Sequence, residues 1–119
     1  MKYFLLIFLF LNLVTFSNDI IYTDPVNGAV LVNTQNNITI GFSTAPALKL
    51  NNLDKSIVVT GSISGKHSGT ILLIDNNKKL IFMPDAPFSL NEKVTVDFTG
   101  ELSKYNKTRS KITNFSFYT

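Results

Sequence analysis

From Asn37 to Phe42 apolar and polar residues alternate strictly, with Ile38, Ile40 and Phe42 on one face and Thr39 and Gly41 opposite. Lys93 to Thr99 repeats the design with Val94, Val96 and Phe98, and Asn114 to Thr119 repeats it with Phe115 and Phe117. A period of two is the signature of a strand with one buried and one wet face. Three further runs are more apolar throughout: Ser56–Thr60, Thr70–Ile74 and Leu80–Met83. A short strand is predicted at Ile20–Tyr22, before Asp24-Pro25, and another at Ala29–Val32. No window keeps a helical period for longer than about one turn. The best helical candidate, Ala47–Lys55, follows Pro46 and is interrupted by Asn51-Asn52.

Turn chemistry fills the gaps between these runs. The doublets Asn36-Asn37, Asn51-Asn52 and Asn76-Asn77 suit turns, because Asn tolerates left-handed backbone and bonds its own main chain. The clearest hairpin joins Ile71–Ile74 to Leu80–Met83 through Asp75–Lys79. Seven to eight strands at spacings near a dozen residues predict an all-β fold, a sandwich of two antiparallel sheets. The expected core is Ile38, Ile40, Phe42, Ile57, Val59, Ile71, Leu73, Leu80, Phe82, Leu90, Val94, Val96, Phe98, Phe115 and Phe117.

The first 17 residues belong to a different pattern. Lys2 precedes an apolar run of about a dozen residues from Tyr3 to Val14, and Thr15 and Ser17 place small side chains before Asn18. This is the tripartite form of a secretory signal peptide. A retained anchor is the rival reading, but a spanning helix needs about 20 apolar residues. The predicted organisation is therefore a signal peptide at 1–17, one domain at 18–119, and no membrane span after cleavage.

Composition then narrows the chemistry. The chain has 119 residues, no cysteine and a net charge of +3, falling to +2 once Lys2 is lost. Without cysteine there is no disulfide framework, no thiolate metal site and no lipid-attachment thiol. So small a charge gives no reason to expect nucleic acid as a partner. His67, the one histidine, lies in a glycine-bounded loop and reads as solvated; no second histidine exists to complete a metal site. Gly61-Ser62-Ile63-Ser64-Gly65 has the outline of a nucleophile elbow, but Ile63 stands where the serine should be. The eight acids form no EF-hand loop, which leaves a calcium ion held across strands as a minor alternative. No cofactor is expected. Lys104, Lys107, Arg109 and Lys111 alternate with polar residues before the last strand. They read either as a solvated loop or as contacts to an anionic partner such as polysaccharide or envelope lipid.

A family resemblance rests on an ordered set of short motifs. Asp24 to Val32 followed by Asn37 to Ser43 resembles the opening of bacterial Ig-like domains of the SbsA type, where a Pro-x-x-Gly-Ala turn precedes a strand ending in Phe-Ser. The likeness continues through Val59–Gly65, Lys79–Pro84, Pro87–Leu90 and Phe115–Thr119. It implies an Ig-like antiparallel β-sandwich used as a non-catalytic spacer or adhesive module in exported proteins, secreted, periplasmic or at the cell surface. The implied partners are neighbouring domains of a longer exported protein or cell-surface components. Val94 stands where the family commonly has Tyr, so a tyrosine corner is not expected. Copper-binding proteins of the CopC type share the opening, but their site needs several histidines and this chain has only His67. A small exported protein that binds glycan or a metal ion is the alternative function.

Overall fold

In the computed structural model, residues 20–46, 48, 50–99 and 114–119 are described. Among these residues eight strands form: β1 (Ile20–Asp24), β2 (Ile38–Phe42), β3 (Ile57–Gly61), β4 (Gly65–His67), β5 (Gly69–Ile74), β6 (Lys79–Pro84), β7 (Lys93–Phe98) and β8 (Asn114–Tyr118). They make two four-stranded sheets with the orders β1-β2-β6-β5 and β4-β3-β7-β8. Every pairing is antiparallel. A 3-10 helix at Leu50–Lys55 leads into β3.

Register follows the apolar period. Ile38 faces Phe82 and Ile40 faces Leu80 across β2 and β6, while Ile71 and Leu73 oppose the same two residues from β5. In the second sheet Val59 pairs with Val96, and Val96 in turn pairs with Phe115. Because side chains alternate across a pleat, each pairing puts apolar side chains of neighbouring strands on the same inner face. The two faces meet in one core, where the rings of Phe42 and Phe98 lie 5.2 Å apart across the sheets. Burying each such side chain contributes about 1.5–3 kcal/mol.

Most of the expected core is buried, with Ile71 and Leu73 packed on it half-buried. Leu90 is not part of it: the side chain is 74% exposed, and Phe88, two residues earlier, fills the interior instead. The chain between Pro84 and Lys93 is a loop, where no strand period fixes which side chains face inward. Ile20 is a further core residue. A β-bulge at Ile20/Tyr22 shifts the register of β1 and leaves Ile21 outside.

Residues 29–32 are not a strand. They belong to an irregular segment that lies along the outer edge of β8. Gly28 N donates to Ser116 O (2.7 Å), Tyr118 N to Ala29 O (2.8 Å) and Val32 N to Tyr118 O (3.0 Å). This covers a sheet edge that would otherwise offer unpaired main chain. Leu31 interrupts the ladder with a left-handed backbone, φ +56°. The eighth strand is β4, in the stretch whose glycines suggested a loop. The β5–β6 hairpin forms where expected, with Asp75, Asn76 and Asn77 all at positive φ.

A buried carboxylate clasp at one end of the sandwich

Three segments meet at one end of the sandwich, and Glu92 joins them. Its residue is only 1% exposed, although it sits at the mouth of β7 between exposed Asn91 and Lys93. Its Oε1 accepts hydrogen bonds from the backbone N–H of Ile63 (2.8 Å) and of Ser64 (2.9 Å). Its Oε2 accepts from the Ser64 hydroxyl (2.7 Å) and from Ser89 N–H. The Glu92 main chain is held as well: its N–H donates to Thr119 Oγ1 (3.0 Å), and its carbonyl accepts from Thr119 N–H (3.0 Å). The Thr119 hydroxyl donates in turn to Ser89 O (2.6 Å). The β3–β4 turn, the β6–β7 loop and the residue after β8 are thus tied to one side chain.

The turn from Gly61 to Gly65 is built as a cradle for this anion. Two successive N–H groups, of Ile63 and Ser64, converge on one oxygen, an arrangement suited to binding negative charge. Gly65 has φ +81°, which a residue with a side chain adopts only with strain. A Cβ on Gly61 would collide with the Glu92 carboxylate and the Ser64 hydroxyl. Both glycines of the elbow-like motif therefore have structural reasons.

Burial by itself would raise the Glu92 pKa, because it removes water from the charged form. The Ser64 N–H, the Ser64 hydroxyl, and the N–H groups of Ile63 and Ser89 act the other way and prevail, holding it at about 2. The group is a permanent anion at neutral pH. Its charge is satisfied by oriented donors.

His67 is not a solvated loop residue: it is buried at the end of β4, with its ring 4.6 Å from that of Phe88. Its Nε2 lies 2.7 Å from Ser64 Oγ. Serine, histidine and glutamate are therefore adjacent, but in the wrong order for nucleophilic catalysis. A catalytic serine gives its proton to histidine, which the acid orients from the far side. Here Ser64 gives its one hydrogen to Glu92, so Nε2 carries the hydrogen it shares with Ser64. The arrangement ties the turns together.

Lys104, Lys107, Arg109 and Lys111 lie outside the described residues, as does the 1–17 segment. Among the described residues, no group of three His, Cys, Asp or Glu side chains is placed to hold a metal ion. Sequence reasoning did not single out Glu92; the one local signal available for it is the Ser89-x-x-Glu92 spacing, half of a capping box, in which the acid reaches back to the serine N–H.

Comparison with known families gives a match to the bacterial Ig-like domain over residues 15–119. The chain belongs to the bacterial Ig-like domain family. No curated protein sequence matches this Ig-like domain. Solved structures share its fold at low identity. An L,D-transpeptidase from Mycobacterium smegmatis aligns with a TM-score of 0.57 and 16% identity, over 86% of this chain and 39% of that one. The copper resistance protein PcoC from Escherichia coli gives 0.55 and 14%, over 84% of this chain and 97% of that one. The N-terminal part of the bacterial S-layer protein SbsC gives 0.57 and 10%, over 87% and 23%. The Ig-like domain thus spans about two fifths of the length of the transpeptidase it matches. Likeness at these identities concerns the fold alone.

Proposed function

We propose that this Ig-like domain is a non-catalytic structural and interaction module, a spacer or adhesive unit, of an exported bacterial protein. The observation that carries the reading is the closed clasp. Both Glu92 oxygens and the hydrogen of Ser64 are committed to internal bonds, so the most reactive-looking cluster is structural. Two comparisons support it. Structures of the same fold occur as parts of longer chains, an L,D-transpeptidase and an S-layer protein. The Met1–Ser17 pattern supports export, and among the described residues no helix is long and apolar enough to cross a membrane.

A small exported binding protein for glycan or metal ion is the second reading, favoured by the match along 97% of PcoC. The reading frame beyond the Thr119 codon, followed by a glycan array and a metal titration on the exported protein, separates the two. The module reading expects the frame to continue and the titrations to show no saturable binding. A stop codon there, or saturable binding weakened by substituting Lys104, Lys107, Arg109 and Lys111, would overturn it.

A further inference from the structure

Two sheets of four strands leave four edges, β1 and β5 on one sheet and β4 and β8 on the other. An edge offers unpaired N–H and C=O groups to any extended chain, and proteins blunt it with bulges, charges, proline, short length or a cover. Three of the edges here carry such a device. β1 is bulged between Ile20 and Tyr22 and ends in Asp24 ahead of Pro25. β4 is three residues long, with exposed Lys66 at its centre. β8 is covered by the main chain of residues 28–32. β5 has none of them. Gly69–Ile74 is six residues long, without charge or proline, and pairs with β6 in unbroken register from end to end. The Leu50–Lys55 helix lies near it, yet among the described residues no backbone hydrogen bond besides the β6 ladder reaches β5.

β5 also has the sequence of a strand with neighbours on both sides. The run Ile71-Leu72-Leu73-Ile74 is apolar on both faces, as in strands buried within a sheet. At the edge these side chains are only partly covered. Ile71 and Leu73 are half-buried against the core, while Leu72 and Ile74 are 45% and 42% exposed on the outer face. That outer face is continuous across the ladder, because Thr70, Leu72 and Ile74 stand directly opposite Met83, Ile81 and Lys79. The lack of charge decides the occupant. A charged strand finds no counter-charge on β5, whereas a second β5 brings no charge either. Directly opposed residues share a face, so an antiparallel pair centred on Leu72 sets Leu72 against Leu72, Ile71 against Leu73 and Thr70 against Ile74. Inner residues then meet inner ones and outer meet outer. The two-fold arrangement closes both edges at once.

We propose that two copies of this chain pair through β5, antiparallel about Leu72, and join their β1-β2-β6-β5 sheets into one eight-stranded sheet. The dimer goes beyond the module reading and does not rest on it. Sedimentation equilibrium of the exported protein, from micromolar to millimolar concentration, tests it. The expected result is a mass that doubles as concentration rises and grows no further. Leu72→Lys sets like charges face to face on the two-fold axis and should weaken the dimer about tenfold or more. Leu72→Glu should do the same, and an equimolar mixture of the two variants should regain a dimer. Ile21→Lys, at an exposed apolar position on the bulged β1 edge, should leave the dimer unchanged. All three changes are at exposed side chains, and circular dichroism should show each variant folded like the native chain. A protein that stays monomeric throughout overturns the proposal and leaves the module reading standing. So does a dimer that Leu72→Lys leaves intact or Ile21→Lys abolishes, a mixture of the two charged variants that stays monomeric, or an assembly that grows past two copies.

Discussion

Ser64 and Glu92, 28 positions apart in the chain, are joined by a 2.7 Å hydrogen bond in which the hydroxyl donates to the carboxylate. Its direction decides the chemistry of this end of the sandwich. A serine that donates to a permanent anion keeps its hydrogen, and the histidine beside it acts as a donor. The pair closes the β3–β4 turn onto the start of β7 in the way a staple closes a loop.

Removing that anion is expected to weaken the domain strongly. Glu92→Ala leaves three backbone N–H groups and a hydroxyl without their acceptor, and hydrogen bonds to charged groups are worth about 1.5–3 kcal/mol each. The expected loss is about 3–5 kcal/mol by urea denaturation, with Glu92→Gln losing less because it keeps the shape and one acceptor oxygen. A loss below about 1 kcal/mol in Glu92→Ala would show that the clasp is incidental.

Acid should open the same clasp. The folded-state pKa of Glu92 is about 2 against an ordinary 4.5, so its contribution is fully present above pH 4.5 and is lost as pH falls towards 2. That difference corresponds to about 3 kcal/mol. Stability measured between pH 2 and 6 should fall more steeply in the native protein than in Glu92→Gln. Parallel profiles would contradict the assignment.

The glycines at 41 and 61 should respond differently to alanine. At Gly41 the new methyl would strike the ring of Tyr22, which is exposed and free to swing away. At Gly61 it would strike the buried carboxylate and the Ser64 hydroxyl, which are held by their bonds. Gly61→Ala should therefore cost more than Gly41→Ala by about 1–3 kcal/mol, the range for overpacking. Its effect should shrink in the Glu92→Ala background, a coupling that a double-mutant cycle measures.

Phe82 and Leu90 provide the corresponding contrast in the core. Phe82→Ala, in the buried face of β6, should cost about 3–5 kcal/mol. Leu90→Ala removes an exposed side chain and should change stability by less than about 0.5 kcal/mol. Thermal denaturation of the two variants distinguishes this arrangement from one with Leu90 inside.

The sheets were legible because their signal is local. Ile38, Ile40, Val94, Val96, Phe115 and Phe117 declare their faces within five or six residues, and the Asn-rich turn after Ile74 declares its hairpin. Leu90 and residues 29–32 were misread because apolar character outside a paired strand does not fix a face. Leu31 points outward from a left-handed bend, and Phe88, in a loop, points inward. The clasp was hidden for another reason. Ser64 and Glu92 are ordinary residues in the sequence, and only the pairing of β3 with β7 brings their turns together.

The most direct test of the clasp is an NMR pH titration of the Glu92 side-chain carboxyl carbon. A structural anion held by four donors should keep its ionised chemical shift from pH 7 down to at least pH 3.5, with titration beginning only near a pKa of about 2. A midpoint at or above 4.5 would show a carboxyl that is open to solvent or poised to exchange protons. That would contradict both the closed clasp and the non-catalytic reading built on it.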